Sequence, residues 1–340
     1  VSFLFPSSTI TLDAALRDLA QGSPKARTAA AHALGDVAEP TERRRAVDAL
    51  LRALDDDRLE VRAEACASLG DLGDASVLPA LIRRLDDGAA PVRQNAAIAL
   101  GTLAQPEGFE PLAQALRDGP ADLRFQAATS LAEIDQARAY DPLLAALDDR
   151  DPQVVAAAAL SLGAIGDPRA VAPLVSRLEH DSAATRFDVA YALAELGDPR
   201  GRALLVAALG DLERAWDAVA ALARLGTVDD AEALGGALTR KGTPPEATVL
   251  AAGALLKIGH TAHHDAARRV LLAALGARKV HVRGLAVEQL GEIGGAWAVA
   301  PLDKLARSGK GAELTDAIGA AQRAIQARAD GTATAEGADA

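Results

Sequence analysis

The chain has 340 residues, half of them apolar but only 3% aromatic, and 36 Lys and Arg stand against 47 Asp and Glu for a net charge of -11. No basic field gathers polyanions, so nucleic-acid binding is disfavoured. The single Cys66 excludes an internal disulfide framework or a cysteine-built metal centre and fits a reducing, cytoplasmic setting, and no stretch reaches the roughly 18 charge-free apolar residues of a membrane span.

Val1-Ser2-Phe3-Leu4-Phe5-Pro6 is apolar, short and without a basic start, so residues 1–10 read as a cap and not as a signal peptide. With no Met in the chain, Val1 reads as an alternative start, and the wealth of Ala, Arg and Gly suggests a GC-rich bacterial source. From residue 11 a repeat takes over. Leu100, Leu131, Leu162 and Leu193 are spaced by 31 residues, and Pro111, Pro142 and Pro173 keep the same step.

Each unit reads as two helices. In one, Ala170 to Leu178 is followed by a turn at His180-Asp181-Ser182, a second helix from Thr185 to Leu196, and a stop at Gly197-Asp198-Pro199-Arg200. Pro falls where a first helical turn needs no N–H, Gly suits a left-handed helix end, and Asp or Ser caps the second helix. Leu34, Leu69, Leu222, Leu255 and Leu290 anchor further units, with a degenerate one near Ala321. The spacing drifts after Leu193, and Gly235-Gly236 with Thr243-Pro244-Pro245 mark a candidate bend or hinge. The pattern predicts an all-α solenoid of about ten helix pairs over residues 11–329. Residues 330–340, small and polar, are expected to be a disordered C-terminal tail.

Val154, Leu162-Gly163-Ala164-Ile165-Gly166-Asp167-Pro168-Arg169-Ala170-Val171 and Pro173-Leu174 resemble the bacterial HEAT-like repeat of the phycobilisome-lyase type, over roughly residues 11–329. The resemblance implies a right-handed α-α superhelix whose second helices line its concave side. It also implies an arginine early in each second helix, bonded to neighbouring turns. Arg27, Arg62, Arg93, Arg124, Arg186 and Arg283 lie seven residues before their anchors, whereas Val155 and Thr248 depart from the pattern. A structural ladder to turns carrying Asp57, Asp87, Asp118 and Asp181 is the expected role, and a phosphate-binding row is the alternative.

The resemblance further implies that positions six, five and two before each anchor, and two after it, point outward on the second helices, and steps of four between them fit one helix face. From the third to the seventh unit they hold Gln94, Asn95, Ile98, Phe125, Gln126, Leu160, Phe187, Asp188, Tyr191, Trp216 and Asp217, with Glu195 two after its anchor. Aromatics there suit an anchor site for a protein or peptide, and the competing reading is that they fill gaps between second helices. Acidic residues at the same offsets, Asp188, Glu195 and Asp217 among them, call for a partner with basic residues flanking hydrophobic anchors. HEAT-like DNA glycosylases use a basic face instead.

For chemistry, His260, His263 and His264 form the densest candidate metal group, against which a solvated loop is the plainer reading. The runs Asp55-Asp56-Asp57 and Asp148-Asp149-Arg150-Asp151 lack the Gly and distal Glu of an EF-hand loop. Di-iron hydroxylation of the deoxyhypusine hydroxylase kind needs His-Glu pairs, and the sequence has no His-Glu dipeptide. No P-loop, dinucleotide fingerprint or nucleophile elbow occurs, so no cofactor is expected. The sequence points to a protein-binding scaffold or adaptor. The alternative is a bilin lyase-like or chaperone-like factor acting on a tetrapyrrole-bearing protein.

Overall fold

The computed structural model describes residues 11–179, 182–259 and 261–336, with side chains to residue 330. The cap assigned to residues 1–10 and the candidate residues Asp181 and His260 lie outside the described residues. Twenty α-helices and no strand occur among the described residues. First helices α1 (Leu12–Gln21), α3 (Pro40–Ala53), α5 (Leu78–Arg84), α7 (Phe109–Asp118), α9 (Gln136–Ala146), α11 (Val171–Val175), α13 (Arg202–Ala208), α15 (Ala231–Thr239), α17 (His264–Ala274) and α19 (Ala296–Ala306) form one set. They alternate with second helices α2 (Pro24–Gly35), α4 (Leu59–Leu72), α6 (Ala90–Leu103), α8 (Ala121–Ile134), α10 (Pro152–Ile165), α12 (Ala183–Glu195), α14 (Ala215–Leu225), α16 (Pro245–Ile258), α18 (Val280–Ile293) and α20 (Thr315–Glu336). The result is an all-helical solenoid of ten pairs.

The chain divides into two compact units, one ending at Arg177 and the other beginning at Leu178. In the first, α2, α4, α6, α8 and α10 pack in series; in the second, α12, α14, α16, α18 and α20 do the same. The anchor leucines explain why. Leu34, Leu69, Leu100, Leu131, Leu162, Leu193, Leu222, Leu255 and Leu290 are fully buried, because within each unit the second helices pack on first helices and on their neighbours in the series, α12 on α13 and α14. Cys66 is also sealed in this layer, where burial pushes its thiol up to about 12 and leaves it without thiolate reactivity.

Second helices approach through small residues flanking the anchors. A Cβ added to Gly70 would sit 2.9 Å from both Cα and Cβ of Ala99, and one added to Gly35 would sit 2.8 Å from Cβ of Ser68. Ser161 closes the same seam by donating its hydroxyl to the Ala128 carbonyl at 2.9 Å.

Two sequence expectations change here. α15 runs unbroken through Gly235 and Gly236, so the pair is no hinge; a Cβ at Gly235 would collide with the His263 ring, 2.4 Å from Cε1. The segment from Asp330, expected to be disordered, continues the helical backbone of α20 to Glu336.

The arginines seven before the anchors are bonded to turns. Arg62 grips Asp87 with Nε and Nη2 at 2.9 and 3.0 Å and donates Nη1 to the Asp56 carbonyl at 2.9 Å. Arg124 grips Asp149 at 2.7 and 2.8 Å and donates to the Gly119 carbonyl at 2.9 Å. Arg93 pairs with Asp122 at 2.8 Å, Arg27 with Asp56 and Asp57 at 2.9 and 2.5 Å, and Arg283 with the carbonyls of Ala277 and Arg278 at 3.0 Å. Arg186 also has a partner. Asp118, an expected rung, instead accepts from Gln114, because Arg93, the arginine of the preceding second helix, pairs with Asp122 on the first turn of α8.

The aspartate runs are consumed in the same way. Asp55 pairs with Arg84 and Asp148 with Arg177, while Asp151 accepts the Gln153 N–H at the start of α10. Bonds from Arg62 hold Asp87 below the ordinary carboxylate range. For Asp149 burial pushes upward, but Arg124 and the Asp151 N–H prevail and its value is lowered.

Two outcomes follow from this packing. Gly70→Ala should lower stability by about 1–3 kcal/mol despite better helix propensity, whereas Gly236→Ala, which meets open space, should raise it by about 0.5–1 kcal/mol in denaturant titrations. Arg124→Ala strands the Asp149 carboxylate and should cost about 3–5 kcal/mol at pH 7. A lowered carboxylate stabilises above its unfolded value near 4 and ceases to do so as pH falls through the folded value. The Arg124→Ala deficit should therefore shrink in melts below about pH 3.

Candidate functional site

The second-helix layer carries the outward positions. Among the described residues, nine large apolar side chains are exposed, and four of them sit at these positions: Ile98 on α6 at 44%, and Phe125 on α8, Leu160 on α10 and Trp216 on α14 at 38% each. Ile98, Phe125 and Leu160 belong to consecutive second helices of the first unit. Their helices place them there because residues four apart share a face, leaving the anchor and its flanks to face inward.

Polar neighbours of that strip are largely committed. Asn95 donates Nδ2 to the Ala63 carbonyl of α4 at 2.9 Å, so it braces adjacent repeats. Gln126 bonds Thr129 within its own helix at 2.9 Å, and Gln94 is half-buried.

In the second unit the outward positions are mixed. Phe187 is 6% exposed and belongs to the core, a correction to its assignment as a surface anchor. It belongs to the buried cluster of the second unit, and the Arg214 guanidinium covers its ring at 5.2 Å. For this one aromatic the gap-filling alternative holds.

Around it, Asp188 and Tyr191 are half-buried on α12, and Trp216 and Asp217 are exposed at the start of α14. Glu195 receives Arg224 at 2.8 Å. Burial pushes the Asp188 carboxyl up, with Asp217 adding to the effect and Arg214 opposing it. Asp217 is raised by burial as well, and Tyr191 by burial and then by Glu195 and Asp217. Arg214 and Arg224 shape this field. Arg224 was visible two residues after its anchor, but Arg214 lies outside the outward register and carried no signal.

Of the candidate metal group, His260 lies outside the described residues. His263 faces Glu232 at 3.3 Å across repeats, and His264 begins α17 with its Nε2 buried and without a hydrogen-bond partner. Among the described residues no group of three His, Cys, Asp or Glu could hold a metal ion, and no helix is long and apolar enough to cross a membrane.

The family model for HEAT repeats matches residues 12–101, 86–163, 109–194 and 140–223, which together reach over more than half of the chain. The chain belongs to the HEAT repeat family. Among solved structures, this HEAT-repeat chain is similar to the CpcE–CpcF complex of phycocyanin lyase from a Nostoc species, at 27% identity over 77% of this chain and 92% of that one, with a TM-score of 0.40. Yeast importin-beta is similar at 13% identity over 96% of this chain and 51% of that one, with a TM-score of 0.59, a likeness of fold. Human deoxyhypusine hydroxylase is similar at 22% identity over 83% and 95%, with a TM-score of 0.35. No curated protein matches.

The electrostatics of the second unit can be tested without knowing a partner. A carboxyl whose folded value is raised costs nothing below its unfolded value near 4 and destabilises once pH has risen through the folded value. Asp188→Asn should therefore raise the Tm by about 1–3 °C at pH 7 and leave it unchanged at about pH 3.5, as read by circular dichroism.

Proposed function

We propose that this HEAT-repeat chain is a binding scaffold, an adaptor that holds a protein or peptide partner on its second-helix layer. The exposure of Ile98, Phe125, Leu160 and Trp216 at positions set by the repeat carries this reading. Large apolar groups left in water beside a closed core are what a desolvated partner anchor covers. Each unit offers its own patch, one aliphatic and aromatic on α6, α8 and α10, the other built from Trp216 and Tyr191.

The charges around the second patch supply selectivity. Asp217 is exposed, Asp188 stays half-buried at a cost to stability, and Glu195 is shared with Arg224. Retaining a destabilising carboxylate beside an exposed Trp supports a binding role, since function is where stability is commonly given up. A partner whose Lys or Arg residues flank apolar anchors matches that surface.

Photo-crosslinking tests the proposal. A benzophenone amino acid replaces Phe125 or Trp216 in the cell, and Gln114 on the first-helix side serves as control. Discrete polypeptide adducts should form from the first two sites and not from the third. Adding Ile98→Ser and Leu160→Ser should cut the adduct at position 125 by roughly tenfold. Equal adducts at all three sites, or none at 125 and 216, would sink the reading.

A further inference from the structure

A groove on the first-helix layer repeats along the chain in form but not in charge. In the third and fourth repeats it runs between α5 and α7, over Ile82, Leu85, Pro111 and Ala115, and encloses about 530 Å³. In the ninth and tenth repeats, 190 residues later, a groove recurs between α17 and α19 over Leu272, Leu275, Pro301 and Leu305, and encloses about 550 Å³.

The lips differ. Asp86 and Asp118 of the earlier groove become Gly276 and Ser308, and Gln114 and Pro120 become Lys304 and Lys310. Asp87 and Arg93, which also line the earlier groove, have no counterpart in the later lining, and Lys310 lies in the 3-10 turn Gly309–Leu314 where Pro120 directly precedes α8, so the later lip carries two ammonium groups and no carboxylate. The earlier groove is satisfied from within: Gln114 bonds Asp118, and Arg117 donates to Gln114 at 2.8 Å.

The later groove is left open. Lys310 donates to the Gly276 carbonyl at 3.0 Å, which fixes its ammonium at the lip with two protons still to give. Lys304 is exposed and, among the described residues, has no hydrogen-bond or ion-pair partner. Asp303, next to it in sequence, is held by Gln322 of α20 at 2.6 Å. Between His264 and Lys310 eight Lys and Arg stand against four Asp and Glu, in a chain whose total is -11.

We propose that the groove between α17 and α19 docks an acidic peptide segment carrying an apolar side chain. Its carboxylates meet Lys304 and Lys310, and its anchor seats over Leu272, Leu275 and Leu305. The surface is separate from the second-helix patches and takes a partner of opposite charge, so it stands or falls independently of them. Charge complementarity selects the occupant, since an apolar floor alone accepts any sequence and the lysine lip does not.

Fluorescence anisotropy on the full chain decides the matter. The probe is a fluorescein-labelled peptide of alternating Glu and Leu pairs, compared with the same peptide carrying Lys for Glu and with phosphatidylserine vesicles. Saturable binding of the Glu peptide is expected, weakened at least about tenfold by Lys304→Glu with Lys310→Glu and weakened by added salt. Lys304→Glu alone, which leaves the Gly276 bond intact, should give a smaller loss in the same direction, and Gln114→Glu in the earlier groove should give none. Thermal melts check that the variants fold. Absence of saturable binding, equal binding to the double variant, or binding to vesicles alone overturns the proposal.

Discussion

Everything in this molecule depends on how closely one second helix can lie against the next. Side chains one residue before and one after the anchor leucines set that distance, and except for Leu256 and Gln289 they are reduced to Ala, Ser or the bare backbone of Gly, as where Gly70 meets Ala99 and Gly35 meets Ser68. Burial of the leucines follows from this approach, because a helix pair alone leaves half of its apolar surface in water. At about 2 kcal/mol for each fully buried leucine, the series of second helices is the main source of stability, and the first helices complete its cover.

Close stacking has an electrostatic consequence. It brings the turn of each repeat beside the start of the next second helix, where orphan N–H groups and buried carbonyls collect. Arg62 and Arg124 answer both at once, donating backward to a carbonyl and forward to an aspartate. The direction of the pKa shift then separates two populations of acid. Asp56, Asp87 and Asp149 are lowered because arginines outweigh their burial, and they hold repeats together. Asp188 and Asp217 are raised because burial is not answered by enough positive charge, and they oppose folding while facing the outward positions.

The period made most of this legible. A leucine every 31 residues fixed the helix pairs, and an arginine seven before it located the bonds to the turns. What the period does not encode is the environment that neighbouring repeats create. Phe125 and Phe187 share one offset, yet the first is 38% exposed and the second 6%, and Phe187 alone of the two is covered by an arginine, Arg214. Asp118 looked equivalent to Asp87 but lost its rung to Asp122, which Arg93 grips from the first turn of α8 instead. Gly235 looked like a hinge, and the reason for it lies 28 residues away in the ring of His263.

The same separation between frame and decoration governs charge. A sum of -11 describes the chain as a distant ion would meet it, but at physiological salt the field of an exposed group fades within about 8 Å. A docking segment therefore responds to the few side chains at the lip it touches. Two grooves at equivalent places in the first-helix layer, one edged by Asp86 and Asp118 and the other by Lys304 and Lys310, present opposite fields at that range. Repetition supplies a rigid frame at a fixed step, and each repeat is free to differ at the few positions that stacking does not constrain. In such an array the positions that break the pattern, rather than those that keep it, are where specificity can reside.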